Sequence, residues 1–216
     1  MPKKFIGEFM HPEIPEKQIC GRPLIDCLQI IENFHGWKAP GLVIGMFMID
    51  LARELVGEHV EADAIVETRH CLPDAIQLFT PCTIGNGWMK ILDWGKFALS
   101  LYDRKKRYGY RVWLDLEKTR QFPNIYNWYM RRVPKKKLPL EILINTVLSA
   151  QRTVLSYESI YIVRFYERDK KRKITVCPIC KEAYAEKLGE LCTSCQGRGY
   201  YTTFERNINQ FSEQLS

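Results

Sequence analysis

Four cysteines near the end of the chain are the residues whose spacing most directly indicates chemistry. Cys177 and Cys180 form one C-x2-C pair, and Cys192 and Cys195 form a second pair after eleven intervening residues. Each pair can place two thiolates at neighbouring corners of a tetrahedron, the geometry that zinc takes with four soft ligands. Because four bound thiolates leave no position open to water, the spacing predicts one structural zinc per chain. A rubredoxin-type iron site and a redox-active dithiol pair are the alternatives.

The length and composition of the chain support metal binding by these cysteines. The chain has 216 residues and eight cysteines, and no apolar export signal follows its basic N-terminus. Its longest apolar stretch, residues 42–51, is interrupted by Gly45 and Asp50 and is shorter than the ~20 residues that a membrane span needs. We therefore expect a cytoplasmic protein with no membrane partner, in which paired cysteines hold metal rather than disulfides.

A second group of candidate residues lies in the first half of the chain. Residues 34–45 read Phe-His-Gly-Trp-Lys-Ala-Pro-Gly-Leu-Val-Ile-Gly. They resemble the signature Phe-His-Gly-His-x-Cys-Pro-Gly-x-x-x-Gly of the FmdE family, which is named after a component of formylmethanofuran dehydrogenase. Residues 71–77, 82–87 and 93–96 resemble the second block of that family. Its members often carry a C-terminal zinc module with two C-x2-C pairs, as this chain does, and the resemblance covers roughly residues 20–115 and 177–195.

The resemblance implies a role without assigning a reaction. In methanogens, FmdE accompanies an enzyme that reduces carbon dioxide onto methanofuran at a molybdenum or tungsten pterin. That chemistry belongs to other subunits, and many family members occur as stand-alone proteins. The His-x-His-x-Cys run of the family, together with the cysteine of the second block, implies a metal or active site in the core domain.

This chain departs from the family at the core site. Trp37 stands where the second histidine would be, and Ala39 stands where the cysteine would be. A tight zinc site needs three or four ligands of the right type. The remaining residues therefore either line a cavity that has lost its metal or form an altered site, and a second metal in the core is left open. The residues available to such an altered site are His35, Cys71, Asp74, Gln77 and Cys82.

The positive charge of the chain is concentrated in one segment. The chain carries a net charge of +7, and residues 131–173 alone hold 12 basic and 4 acidic side chains. Such a segment is typical of a surface that contacts nucleic acid or an acidic protein, and also of a solvated linker or helix face. The candidate binding residues are Lys135, Lys136, Lys137, Lys170, Lys171 and Lys173, and Tyr157, Tyr161, Phe165 and Tyr166 are interleaved with them.

The order of the predicted elements indicates an α+β fold, with an antiparallel sheet core packed with helices. Helix 40–56 begins at a proline, ends before a glycine and is apolar on nearly all sides, which predicts a central buried helix and makes a homodimer plausible. We expect a core domain over residues 1–170 and a small zinc-ribbon or treble-clef-like module over 171–216. The other predicted helices are 23–34, a short helix capped by Asp74, 118–132 and 139–150, and the predicted strands are 64–68, 88–93, 96–102, 108–115 and 159–166, with residues 93–96 joining two strands of an antiparallel meander.

These observations give three functional hypotheses. The first is a non-catalytic binding or regulatory protein that acts through its zinc module and its basic segment, and we favour it because all four zinc cysteines are kept while two core ligands are lost. The second is a metal-dependent enzyme or metal carrier that uses an altered core site at His35 and Cys71. The third is an accessory subunit of a complex related to formylmethanofuran dehydrogenase.

Overall fold

A five-stranded sheet covered by helices forms the core of the first of two units in the computed structural model. The structure describes residues 18–57, 59–164 and 173–201, and the chain divides into units Met1–Tyr166 and Glu167–Ser216. The helices of the first unit are α1 (Leu24–His35), α2 (Pro40–Val56), α3 (Leu72–Phe79), α4 (Leu116–Thr119), α5 (Pro123–Tyr129) and α6 (Leu140–Ala150). Its strands are β1 (Gln18–Ile19), β2 (Arg22–Pro23), β3 (Ala62–Val66), β4 (Met89–Ile91), β5 (Ala98–Asp103), β6 (Tyr108–Leu114) and β7 (Leu155–Tyr161). This content confirms the α+β prediction.

Helix α2 is the centre of the first unit. It begins at Pro40, whose missing N–H costs nothing in the first turn, and Gly57 ends it with φ of 105°. Its side chains are buried on nearly every side, against α3, α6 and strands β5 and β6. Gly45 lets α3 approach closely, because a Cβ there would lie 2.7 Å from the Cβ of Ala75. The first unit therefore covers the apolar surface of α2 by itself. The apolar character of α2 no longer argues for a homodimer, which stays a prediction.

The sheet differs from the predicted meander at one edge. Its strand order is β4-β3-β5-β6-β7, with β3 and β4 parallel and the other pairs antiparallel. The turn at residues 93–96 therefore does not join two paired strands, as the sequence predicted. The backbone N–H groups of Trp94 and Lys96 each donate to the carbonyl of Glu67 at 3.1 Å, so the turn crosses the end of β3 and places β4 and β5 on opposite sides of it.

Three predicted elements differ from the structure by more than two residues at one end or more. Helix α3 begins at Leu72 with Cys71 at its N-cap, so Asp74 lies in the first turn and is not the cap. The predicted helix 118–132 is two helices, because Pro123 disfavours a helical conformation at the residue before it. The last strand of the sheet is β7, in register with β6, rather than residues 159–166, and Phe165 and Tyr166 lie outside the described residues.

The second unit contains a two-stranded hairpin followed by short turns. Strands β8 (Ile174–Val176) and β9 (Ala183–Ala185) are antiparallel, and a 3-10 helix follows at Glu186–Leu188. A last helical turn, Ser194–Arg198, is bent at Gly197, whose φ is 81°. Few of its described side chains are buried, as expected for a module too small for an apolar core.

The membrane prediction concerns the described helices only. Within residues 18–57, 59–164 and 173–201, no helix has the length and apolar character required to span a bilayer.

Candidate functional site

The four predicted zinc cysteines converge in the second unit. Their Sγ atoms all lie within 4.8 Å of one another, and those of Cys180 and Cys192 are 3.7 Å apart. A zinc ion with Zn–S bonds of about 2.3 Å in a regular tetrahedron requires an edge of about 3.8 Å between sulfur atoms. The cluster thus has both the donor chemistry and the dimensions of a closed zinc site.

Backbone hydrogen bonds shape the first cysteine pair. Cys177 follows β8 directly, and its N–H donates to the carbonyl of Glu182 at 2.9 Å. The N–H of Lys181 donates back to the carbonyl of Cys177 at 2.9 Å, and Lys181 has a φ of 65°, which closes the turn between the two strands. The hairpin therefore holds the Cys177–Cys180 turn in one conformation.

The second cysteine pair is held by an amide side chain. Nε2 of Gln196 donates to the carbonyls of Leu188 (2.8 Å) and Leu191 (2.6 Å). The N–H of Gln196 donates to the carbonyl of Cys192 at 3.1 Å, which closes the turn that carries Cys195. Gln196 thus links the segment before the second pair to the pair itself, a contact that the cysteine spacing did not reveal.

The thiols of the cluster differ in acidity. Backbone N–H groups of Cys192 and Cys180 lower the pKa of Cys177 to about 6, because they stabilise its thiolate. Loss of solvation, followed by hydrogen bonds with neighbouring thiols, raises the pKa of Cys195 to about 12. Zinc would supply the positive charge that allows all four sulfurs to be thiolates together.

The core candidates are only partly brought together. His35 is the last residue of α1, and its Nδ1 lies 4.0 Å from Oδ2 of Asp74 in α3. Gln77 instead accepts a hydrogen bond from the N–H of Ile84 at 3.3 Å. The Cys82 thiol is buried and donates to the carbonyl of Ala62 at 3.4 Å. Among the residues that the structure describes, the four zinc cysteines are the only His, Cys, Asp or Glu group of three or more placed to hold a metal.

Cys71 occupies an unusual backbone conformation next to α2. Its φ and ψ are 56° and −49°, and the N–H of Leu72 donates to the carbonyl of His70 at 2.6 Å, which makes a γ-turn of the rare and strained form. Its Sγ faces Gly41 so closely that a Cβ there would be 2.7 Å away. Burial, followed by the charge of Asp74, raises the pKa of the Cys71 thiol. Cys71 therefore lies in the same region as His35 and Asp74, as a neutral thiol.

Of the two residues that replace family ligands, one contacts His35 and the other precedes α2. The ring of Trp37 is 46% exposed and its centroid is 5.5 Å from that of His35. Ala39 is buried at the N-cap of α2. Neither side chain offers a metal-binding atom, so His35 is the one member of this three-residue run that keeps a donor.

The predicted basic residues have separate locations. Lys136 and Lys137 are exposed, and Lys135 belongs to the same 3-10 turn. Lys173 is exposed in the second unit, and its Nζ lies 3.9 Å from Glu186. Lys170 and Lys171 lie outside the described residues. The aromatic residues Tyr157 and Tyr161 on β7 are more than half exposed and do not enter the core.

A cation–aromatic cluster near α5 was not predicted from the sequence. The guanidinium carbons of Arg120 and Arg132 lie 5.5 Å and 4.9 Å from the centroid of the Tyr126 ring. A signal was present, because residues 118–140 contain seven basic side chains and no acidic one. The basic segment counted from the sequence began at residue 131, so it left out Arg120.

A polar pocket of about 330 Å³ lies between α2 and the β1–β2 hairpin. Asp50 accepts hydrogen bonds there from the N–H of Cys20 (2.7 Å) and from Nε of Arg152 (3.0 Å), and Arg152 also donates to Glu54 at 2.6 Å. Nη1 of Arg53 donates to the carbonyl of Cys20 at 3.2 Å. The charged groups satisfy one another, so the pocket walls act as a structural clamp.

Comparisons with known proteins agree with this arrangement. The family model described as "FmdE, Molybdenum formylmethanofuran dehydrogenase operon" matches residues 34–164, and the model of the FmdE treble clef zinc finger matches residues 168–202. A solved structure, described as a tungsten formylmethanofuran dehydrogenase FmdE-like protein from Syntrophus aciditrophicus, is 43% identical with a TM-score of 0.78. That match covers 87% of this chain and 99% of the other.

A curated relative extends the comparison. The "Probable S-adenosyl-L-methionine-binding protein" of Archaeoglobus fulgidus is 29% identical over 208 residues, which cover 85% of this chain and 56% of that protein. This chain thus spans little more than half the length of that relative. The family match reaches well past residue 115, where the resemblance seen in the sequence ended. The chain therefore belongs to the FmdE family, and its C-terminal module is a treble-clef zinc finger with a structural zinc.

Proposed function

We propose that this chain is a non-catalytic binding or regulatory protein whose zinc module and basic segment, residues 131–173, contact a partner. The zinc site supports the proposal, because four sulfur donors leave no coordination position for water or substrate. Zinc in such a site stabilises the fold of a module that has little core of its own.

The observation that carries the proposal is that the candidate metal ligands of the first unit do not converge on one point. A catalytic zinc is held by three protein ligands and keeps one position open. In the core, Gln77 and Cys82 are engaged in hydrogen bonds with Ile84 and Ala62, and His35, Cys71 and Asp74 share a region. Those three do not converge as a metal-binding group.

A second candidate function is a metal-dependent enzyme, or an accessory subunit related to formylmethanofuran dehydrogenase, that uses the altered core site. It is favoured by the 4.0 Å approach of His35 to Asp74 next to a half-buried Cys71, and by the likeness to a solved FmdE-like protein. S-adenosyl-L-methionine appears in the name of an archaeal protein of which this chain spans 56%, so it does not enter either proposal.

Metal counting on the purified full chain separates the two candidates. We expect one zinc per chain, with an X-ray absorption spectrum of four sulfur ligands and an unchanged count in His35→Ala. His59→Ala, at an exposed histidine outside the site, is the matched control. A second metal atom that is lost in His35→Ala but kept in Cys177→Ser would overturn the binding proposal and support the core-site enzyme.

A further inference from the structure

An exposed cationic surface lies on the first unit around the end of α5. We name this surface the α5 basic patch, and all of its members are exposed to solvent. It lies in a stretch, residues 118–140, that has no acidic side chain. Its members are Arg120, Arg131, Arg132, Lys136 and Lys137.

Two arginines of the α5 basic patch have ordered guanidinium groups, and the backbone of the third is fixed in a turn. Tyr126 lies between Arg120 and Arg132 in sequence and contacts both guanidinium groups, at 5.5 Å and 4.9 Å. The N–H of Arg132 donates to the carbonyl of Asn127 at 2.9 Å. Arg131, with a φ of 52°, donates its N–H to the carbonyl of Trp128 at 3.1 Å. Ordered guanidinium groups lose less conformational entropy when they bind a ligand.

The charge of the patch is largely uncompensated. Arg120 has one partner, Glu117, whose Oε2 lies 2.9 Å away on the exposed surface. Within the part of the chain that the structure describes, no carboxylate lies within ion-pair distance of Arg131, Arg132, Lys136 or Lys137.

Several basic residues elsewhere on the first unit have acidic neighbours. Lys105 lies 3.6 Å from Glu61, and Arg69 lies 3.1 Å from Asp93. Both signs of charge are thus mixed at these exposed sites, whereas the patch gathers several cations with one carboxylate beside them.

We propose that the α5 basic patch binds the phosphate backbone of single-stranded nucleic acid. This proposal rests on the proposed binding function and names its partner. Guanidinium forks match phosphate oxygens in pairs, and lysines add point charges that release counterions. Arginine planes also offer stacking surfaces for unpaired bases, which favours a single strand over a duplex.

The test measures binding of a labelled single-stranded RNA of about 16 nucleotides to the full zinc-loaded chain by fluorescence anisotropy. The patch variant carries Arg131→Gln, Arg132→Gln, Lys136→Gln and Lys137→Gln. The matched control variant removes the same charge at exposed sites outside the patch: Arg69→Gln, Lys96→Gln, Lys105→Gln and Lys106→Gln.

The salt dependence gives the expected magnitude. If each of the four patch residues neutralises one phosphate, the slope of log affinity against log salt falls by about 2.8 in the patch variant. Between about 50 mM and about 200 mM salt, the wild-type affinity should therefore drop by a factor about 50 larger than that of the patch variant. The control variant should follow the wild type more closely than the patch variant does.

Several results would overturn the proposal. These are no binding by the wild type at low salt, equal losses in the patch and control variants, tighter binding of duplex than of single strand, or displacement of the RNA by polyglutamate as effectively as by unlabelled RNA. The last result would identify an acidic protein as the partner. If RNA binding fails but the chain holds one zinc, the α5 basic patch proposal is wrong and the proposed non-catalytic function still stands. A second metal at His35 contradicts the proposed function whatever the anisotropy shows.

Discussion

Replacing Gly41 with alanine should destabilise the first unit, because the added methyl group has no space against Cys71. A Cβ at position 41 would lie 2.7 Å from Sγ and 2.8 Å from Cβ of Cys71, and 3.5 Å from Phe97. Carbon atoms in favourable contact are about 3.5–4.0 Å apart, so the overlap with Cys71 is about 1 Å. Cys71 cannot easily retreat, since its γ-turn opens α3 and its carbonyl accepts the N–H of Ala75 at 3.0 Å.

The expected loss follows from two opposing effects. Overpacking of this kind costs about 1–3 kcal/mol. Alanine is preferred over glycine inside a helix by up to about 1 kcal/mol, and Gly41 lies in the first turn of α2, where that preference is smaller. The free energy of unfolding should therefore fall by about 1–2 kcal/mol, which corresponds to a Tm lower by about 2–8 °C for a unit of this size.

Urea unfolding followed by tryptophan fluorescence is the appropriate assay. All five tryptophans lie between residues 37 and 128, so the signal reports on the first unit and not on the zinc finger. Gly85→Ala is the matched control, because an added Cβ at that exposed position meets only Oγ1 of Thr83, at 4.0 Å. Its midpoint should be close to that of the wild type.

A double-mutant cycle identifies the cause of the loss. Cys71→Gly removes both clashing atoms and also relieves the positive φ at residue 71. In that background, Gly41→Ala should cost little, which gives a coupling energy of about 1–2 kcal/mol between the two sites. An equal cost of Gly41→Ala with and without Cys71, or no cost in the wild type, would refute the reasoning.

Three further predictions concern the metal sites. Cys177→Ser should release the zinc and make residues beyond about 174 sensitive to proteolysis, with the fluorescence of the first unit unchanged; full zinc retention would contradict the structural assignment. Zinc binding displaces the protons of all four thiols, and the pKa values of Cys180 and Cys195 are raised, so chelator competition should show zinc affinity falling steadily as pH decreases through the neutral range; a flat profile would refute this. Trp37→His with Ala39→Cys should raise the metal content of the chain by one atom, since the two changes restore the missing donors of the family signature close to His35 in the chain; a wild type that already holds a second metal would contradict this.

Local signals in the sequence predicted the local structure well. Pro40 and Gly57 mark the ends of α2 where the structure has them, because proline at the first position and glycine after the last are direct backbone effects. The zinc cluster was equally readable, because two C-x2-C pairs place their thiolates together in any small module. The resemblance to the FmdE family, carried by residues 34–45 and 71–96, was confirmed by the family match.

Non-local structure was harder to predict. The pairing of β3 with β4 and β5 depends on which strand the turn at 93–96 crosses, and no local propensity encodes that choice. The γ-turn at Cys71, which displaced the expected cap at Asp74, is maintained by packing against Gly41. The hydrogen bonds of Cys82 with Ala62 and of Gln77 with Ile84 likewise depend on topology, so the sequence could name the candidate ligands without showing how they are engaged.

The position of β3 has a consequence for the order in which the first unit folds. Strands β5 and β6 are joined by a short turn, so they can pair as soon as both exist, whereas Ala62 of β3 pairs with Asp103 across a long intervening segment. Closing that segment costs loop entropy, which slows folding when distant contacts are required. During synthesis, β3 leaves the ribosome before β4 and β5, so it has neither of these strands to pair with until they emerge. Its entry between β4 and β5 should therefore be a late step, with most of its contacts formed after the transition state, so substitutions in β3 should speed unfolding more than they slow refolding.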